Sequence, residues 1–479
     1  MGIRKQRNLA EKERTAHLKN NPHYEAHGME RSTAPARIIV CSFLIVILIG
    51  TALLCMPFSS AEGKFTSPLT AAFTATTSTC VTGLVLVDTD SYWSFAGQLI
   101  ILMLIQIGGI GLVTFSAFFL VLFRQKLGFG GMMLAQSSTG SNSLQNLYSL
   151  VKIIVLSTFC FEAVGAVLLS IRFIPQFGIA RGLWMSIFTA VSAYCNAGIE
   201  LFNGDFTSLT AYSGDILVNV VVIMLIIIGG MGFIVFQDFL FYRKNHRFIL
   251  HTKVVLAATA LLIVSGAVMF FAFEYTNPAT LGGLSLKDKV LASLFQSVTL
   301  RTAGFNTIDI GALRDPTKLV SCVFMFIGAA PGSTGGGVKV TTFVVLVMTV
   351  VATYCNRRET VIMHRRINHR VVYKAMSIIA AGIVIVIIGA AVIVAENNGI
   401  GTIDALFEAF SAFATVGLSA GATLKLRVVS KIVVIITMFI GRVGTLSLFM
   451  AMTLKEYQRE DKKVLPAGEI MVGLEVLSE

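Results

Sequence analysis

The sequence predicts an all-α integral membrane protein. Eight transmembrane helices are expected, arranged as four helix–re-entrant loop–helix modules about a pseudo-fourfold central axis. Three observations carry this expectation. A hydrophobic fraction of 55% with only 13% charged residues, and a mean hydropathy of +0.78, lie well outside the soluble globular range. Basic residues are divided unevenly between alternate hydrophilic segments. A pattern of hydroxyl residues around a single glycine recurs four times between apolar runs.

The first 37 residues are hydrophilic, lack the apolar core of a signal peptide, and read as a cytoplasmic N-terminal tail over 1–37. His17, His23 and His27 in this tail do not have metal-ligand spacing. The runs Ile38–Met56, Ile153–Leu169, Val254–Phe273 and Ala375–Ala395 each offer roughly 20 apolar residues, enough for ~30 Å of helix. They open modules placed at 38–124, 151–242, 252–356 and 371–455, and residues 456–479 form a cytoplasmic C-terminal tail. Seven cysteines lie mostly inside apolar runs without CxxC spacing. They read as buried free thiols, which excludes a disulfide framework or a zinc site.

The formal net charge of +12 raises the question of nucleic acid, and its distribution answers it. Segments Arg124–Lys152, Arg243–Lys253 and Arg357–Lys374 together carry 13 Lys/Arg and one acid. Segments 59–97, 172–215, 274–318 and 396–431 carry 11 basic and 13 acidic residues. This is the positive-inside pattern, and it places both tails and the basic loops in the cytoplasm. A nucleic-acid partner would need a soluble basic face, and none is evident.

The stretch "TTSTCVTGLVLVDT" (Thr76–Thr89) is too polar for a spanning helix, and it has three counterparts. These are "SIFTAVSAYCNAGIELF" (Ser186–Phe202), "SLFQSVTLRTAGFNTID" (Ser293–Asp309) and "ALFEAFSAFATVGLSAG" (Ala405–Gly421). Phe73, Phe188 and Phe407 lie ten residues before Gly83, Gly198 and Gly417, while Phe295 lies nine before Gly304. A second marker follows each copy midway along an apolar run: "IGGIG" from Ile107, "IGGMG" from Ile228, "IGAAPG" from Ile327 and "IGRVG" from Ile440. Two markers in one order, four times, define helix–pore-loop–helix modules.

Irregular backbone at membrane depth survives only where it is buried or lines a water-filled path. A pore helix of about ten residues reaches ~15 Å, half the hydrocarbon thickness. Its C-terminal end directs a partial negative charge at the axis. A glycine beyond it tolerates φ > 0, so the loop can turn its carbonyls inward. Four such loops around a central pore can replace a cation's hydration shell. Asp88 and Asp90 then read as charges that concentrate cations at the mouth.

Two modules depart from the pattern. In the third, "IGAAPGSTGGGVKVTT" combines Pro331 with Gly332, Gly335, Gly336 and Gly337, so the helix should break there, and there alone. A nucleotide-binding P-loop is excluded because Val338 separates Gly337 from Lys339 and no α/β domain surrounds it. In the fourth, Arg442 replaces the second glycine of the marker. A mid-membrane cation costs at least ~2.5 kcal/mol and faces a partner or a cavity. Glu162 and a ring of helix-end carbonyls are the two candidate partners. Arg301 is expected to brace its loop rather than meet an ion, and Glu408 either to hold the backbone of the fourth glycine loop itself or to be an ordinary interfacial carboxylate. The deep charges Glu162, Lys339 and Arg442 form no catalytic set, so the chain is not read as an enzyme.

The motifs "TCVTGL", "CNAGI", "RTAGF" and "ATVGL", with "GAAPGSTGGGVK", resemble the TrkH/KtrB superfamily of potassium transporters over about residues 38 to 455. Eight spans without an extra N-terminal pair resemble its KtrB branch more than TrkH. The resemblance implies an ion selectivity filter at Val81, Thr82, Gly83 and Leu84, at Asn196, Ala197, Gly198 and Ile199, at Thr302, Ala303, Gly304 and Phe305, and at Thr415, Val416, Gly417 and Leu418. Four filter glycines imply potassium over sodium, and the absence of the second glycine of TVGYG implies weaker selectivity. The resemblance also implies an intramembrane gating loop over 328–340, with Gly332, Ser333, Thr334, Gly335, Gly336, Gly337 and Lys339 as gate residues and Arg442 restraining the loop. It further implies potassium uptake in the inner cell membrane by a homodimer docked on a cytosolic nucleotide-binding regulatory ring of the KtrA/TrkA kind. Membrane lipid is a partner, no cofactor is expected, and sodium is left open as activator or co-ion. A sodium or non-selective monovalent cation transporter of the same fold is the alternative.

Overall fold

A computed structural model describes residues 22–111, 147–202, 208–357, 359–445 and 447–448. The expected tail over 1–21, the end of the first module with the basic segment up to 146, the end of the fourth module and the C-terminal tail 456–479 lie outside the described residues.

The first stretch holds α1 (Pro22–Cys55), α2 (Pro68–Thr79) and α3 (Phe95–Ile110). Helix α1 begins inside the expected tail, at a proline, which suits a first helical turn. The second stretch holds α4 (Leu147–Phe177), α5 (Ile179–Cys195), α6 (Ile216–Gly230) and α7 (Phe233–Asn245). The third holds α8 (Leu250–Glu274), α9 (Leu286–Thr299), α10 (Asp315–Phe326) and α11 (Val340–Tyr354). A hairpin of β1 (Val361–Ile362) and β2 (Arg365–Arg366) leads to α12 (His369–Glu396), α13 (Thr402–Ala414) and α14 (Val428–Val443).

Local chemistry sets several starts. Ser94 caps α3 through Gly97 N at 3.2 Å, and Asn368 caps α12 through Arg370 N at 2.9 Å. Ser285 and Asp288 form a reciprocal box at the start of α9, with Ser285 Oγ 2.7 Å from Asp288 Oδ2. Each cap satisfies amide groups that a helix start leaves unpaired.

Among the described residues, four helices are long and apolar enough to cross a membrane: Arg37–Cys55, Ile153–Phe177, Leu250–Glu274 and His369–Glu396. They open the four stretches. A fifth span arises if Ile216–Gly230 and Phe233–Tyr242, bent by 95°, count as one. The count falls short of eight by length because α3, α6, α10 and α14 stop at or beside the glycine marker. Gly111 ends α3 at φ +87°, Gly232 separates α6 from α7 at φ +89°, and Gly444 ends α14 at φ +89°. Helix α10 ends at Ile327, where the 328–340 loop begins. The expectation of one break, confined to the third stretch, is therefore corrected: the second stretch also breaks, at Gly232, and α3 and α14 stop at Gly111 and Gly444. A glycine in a left-handed conformation stops a helix without needing proline.

The short helices α2, α5, α9 and α13 fill the centre, each against the long helix before it. Phe73, Phe188, Phe295 and Phe407, the aromatic positions that repeat in the sequence, are 0–1% exposed. Each contributes roughly 2–3 kcal/mol of burial. The long helices carry the opposite pattern outward: Leu48 and Ile49, Leu261 and Val264, and Ile387 and Ile388 are exposed. Apolar side chains in that position suit a hydrocarbon surround.

Candidate functional site

The four central helices deliver four glycine loops to one place. A Cβ built on Gly83 would lie 2.5 Å from the Ala197 carbonyl oxygen and within 3.3 Å of the Cα atoms of Gly198 and Gly417. One on Gly198 would lie 2.6 Å from Ala303 O, and one on Gly304 would lie 2.8 Å from Val416 O. A Cβ on Gly417 would overlap Thr82 O. Loop one thus abuts loops two and four, and loop three abuts two and four. The ring closes.

All four glycines have positive φ, at 101°, 63°, 83° and 89° in chain order. So do Val81, Asn196, Thr302 and Thr415, each two residues earlier, at 56°, 61°, 68° and 53°. A β-branched or amide residue in the left-handed region is costly and persists only where its surroundings enforce it. The enforcing groups are four hydroxyl residues that sequence reasoning passed over. Thr77 Oγ1 accepts from Gly83 N at 3.0 Å, and Ser411 Oγ accepts from Gly417 N at 3.1 Å. Ser192 Oγ donates to Ile199 O at 2.6 Å, and Thr299 Oγ1 donates to Phe305 O at 2.5 Å. The carbonyls of the same four residues accept from Thr82, Ala197, Ala303 and Val416 N at 2.7–3.0 Å. Their signal was present: they stand six residues before the glycine, or five in the shortened third copy.

The marker glycines lock the helix ends beneath this ring. A Cβ on Gly108, Gly229 or Gly441 would overlap the carbonyl oxygen of Thr79, Tyr194 or Phe413, the residue four before each ring glycine. The third stretch departs here, because Gly328 packs on Gly336 O of its own loop.

That loop runs under the ring. A Cβ on Gly335 would overlap Thr302 Oγ1, and one on Gly336 would overlap Thr415 Oγ1. Gly337 packs on Ala414, with a Cβ 3.1 Å from its Cα. Thr334 Oγ1 donates to Tyr194 O at 3.2 Å, and Gly332 O accepts from Phe233 N at 2.8 Å. Ser333 Oγ donates to Ala330 O at 2.6 Å, and Lys339 Nζ donates to Gly335 O at 2.7 Å. Arg442 donates to the carbonyls of Thr334, Gly108 and Gly109. Of its two candidate partners, the carbonyls are the ones it meets. Glu162, 5% exposed, instead accepts from Gln106 Nε2 at 3.0 and 3.1 Å, with Cys195 Sγ 3.8 Å away.

Other expected residues fall nearby. Glu408 accepts from Ser419 Oγ at 2.9 Å and from Thr423, so it holds the chain leaving loop four rather than the ring backbone. The Arg301 carbonyl faces Asn196 Nδ2 at 3.5 Å, while its buried Nε and one terminal nitrogen have no partner among the described residues. Of the two expected mouth carboxylates, Asp90 pairs with Arg181 at 2.7 Å and Asp88 caps a helical turn through Ser91 N at 2.9 Å. Both carboxylates are therefore partly committed. Glu200, directly after the second glycine loop and outside the spanning helices, was not singled out from sequence. Burial pushes its carboxyl up to about 8, against the pull of Ser208 and with some help from Asp88.

Fold and site together define a class: a multi-pass, mostly helical membrane protein whose buried centre is made of four glycine loops. A family profile described as "TrkH: Cation transport protein" matches residues 13–460, and the chain belongs to that family. It is 39% identical over 440 residues to Ktr system potassium uptake protein B of Bacillus subtilis, covering 92% of this chain and 97% of that one. It is 35% identical over 450 residues to the potassium/sodium uptake protein NtpJ of Enterococcus hirae, covering 93% and 98%. The structure resembles the potassium transporter TrkH from Vibrio parahaemolyticus with a TM-score of 0.66 at 17% identity, covering 86% of this chain and 84% of that one.

Proposed function

We propose that the chain is the membrane subunit of a potassium-uptake system, passing K⁺ down its electrochemical gradient through the glycine ring. The observation that carries this reading is the mutual approach of the four glycines. Backbone carbonyls stand where any side chain would, and such a ring can substitute for the hydration shell of a large monovalent cation. The names of the B. subtilis and E. hirae relatives support potassium as the ion. In this reading Val81–Leu84, Asn196–Ile199, Thr302–Phe305 and Thr415–Leu418 form the selectivity filter, within eight spans grouped as four modules. The 328–340 loop and Arg442 are the gate.

The same reading puts both tails in the cytoplasm and pairs two copies on a cytosolic regulatory ring. Sodium is the alternative ion, favoured by the missing second filter glycine and by the NtpJ relative. Potassium flux into proteoliposomes, measured against sodium, tests the reading. Flux that prefers K⁺ in the wild type and loses that preference in Gly83→Ser supports it. Equal preference in both, with the variant folded, overturns it.

A further inference from the structure

A groove of about 530 Å³, lined by none of the ring residues, opens between the second and third stretches, on the outer side in the orientation proposed above. Its upper rim is charged. Arg172, near the end of α4, gives its Nε to Asp215 Oδ2 at 3.0 Å, and Lys287 lies in the first turn of α9. Asp215 is fully used, because its Oδ1 also caps α6 through Leu217 N at 2.9 Å and Val218 N at 3.2 Å. The neighbouring Asp288 is engaged with Ser285 at 2.7 Å. The terminal nitrogens of Arg172 and the Lys287 ammonium have no partner among the described residues.

The lower wall is apolar. Ile216 and Val220 on one row, and Leu217 and Val221 on the next, repeat at one helical turn. Ile216 and Val220 are 53% and 45% exposed. This wall is the outer end of a hydrophobic helix, so it points into the hydrocarbon from the interface. The free Lys287 ammonium and the unused terminal nitrogens of the Arg172 that pairs with Asp215, above an apolar wall, fit a molecule with a phosphate at one end and an acyl chain at the other. A soluble anion would use the rim and leave the wall idle.

We propose that this groove binds an anionic phospholipid of the outer leaflet, its phosphate between Arg172 and Lys287 and an acyl chain along Ile216 and Val220. The lipid joins α4 and α6 to the start of α9, the helix that carries the third glycine loop. The proposal rests on the membrane orientation given above and not on which ion is carried.

The test uses the full-length protein, delipidated in detergent and titrated with dioleoyl phosphatidylglycerol, dioleoyl phosphatidylcholine or inorganic phosphate. Thermal unfolding and native mass spectrometry report binding. Phosphatidylglycerol should raise the unfolding midpoint and appear as a retained adduct, while the other two should do neither. Lys287→Gln, which leaves the Arg172–Asp215 pair intact, should weaken the apparent affinity for phosphatidylglycerol about fivefold. Lys64→Gln, a remote surface change, should not. Arg172→Gln with Lys287→Gln should abolish the response. Equal stabilisation of Lys287→Gln and wild type by phosphatidylglycerol overturns the proposal. An equal response to inorganic phosphate overturns it in favour of a small-anion site.

Discussion

Arg442 stands where two other stretches carry glycine, and its guanidinium ties the 328–340 loop to the end of α3 through backbone carbonyls alone. Removing it strands no carboxylate, so the 3–5 kcal/mol penalty of a broken buried ion pair does not apply. Arg442→Gly should therefore raise K⁺ flux several-fold, keep selectivity and leave thermal stability nearly unchanged. Flux and unfolding measured on one purified sample check both halves. Glu200 gives a second residue-scale expectation. With its carboxyl pushed up to about 8, it is neutral below that pH and anionic above it. The anion adds negative potential at the outer opening. The apparent KM for K⁺ should fall as external pH rises through roughly 7 to 9, and Glu200→Gln should flatten that profile. Arg442 was legible in the sequence because it breaks a repeat. Glu200 was not, because its shift comes from burial by residues distant in the chain.

At the scale of elements, the short central helices hold their loops by hydroxyls at one register. Ser411→Ala leaves Gly417 N without its side-chain partner. A buried amide so stranded costs about 1–3 kcal/mol, and K⁺/Na⁺ preference should drop while the chain still folds. Thr77→Ser, which keeps the hydroxyl, should behave as wild type in the same flux assay. The 328–340 loop makes a contrasting case. Alanine at Gly335 or Gly336 collides with Thr302 or Thr415 on the underside of the ring, and the loop is the softer partner. Both variants should change flux far more than selectivity, in potassium and sodium uptake measured side by side. The loop's position could be read from its proline, Pro331, and its glycines. The helix ends at Gly111, Gly232 and Gly444 could not, because glycines in an apolar run also occur inside unbroken helices. The stopping signal is the left-handed φ that tertiary packing selects. The four hydroxyls were hidden for a related reason: serine and threonine in a helix more often bond back to their own turn.

The whole molecule was the most legible level, since a fourfold repeat announces the order of the four glycine loops before any contact is known. What the repeat conceals is how the copies meet. The first and fourth stretches touch at Gly83 and Gly417, and Arg442 reaches Gly108 across 334 residues of chain. Those two contacts join the beginning of the sequence to its end. A chain emerging from the ribosome therefore inserts three quarters of itself before the ring can exist. Until α13 and the loop after it arrive, loop one lacks a neighbour on one side, and the carbonyl set is an open arc rather than a ring. If the ring is the proposed path for K⁺, an unfinished copy offers cations no closed path through the membrane. A fragment ending before residue 371 should insert yet leave the membrane tight to cations. Supplying residues from 359 onward as a separate polypeptide should restore uptake, and conductance by the fragment alone would show that the ring forms without its last quarter.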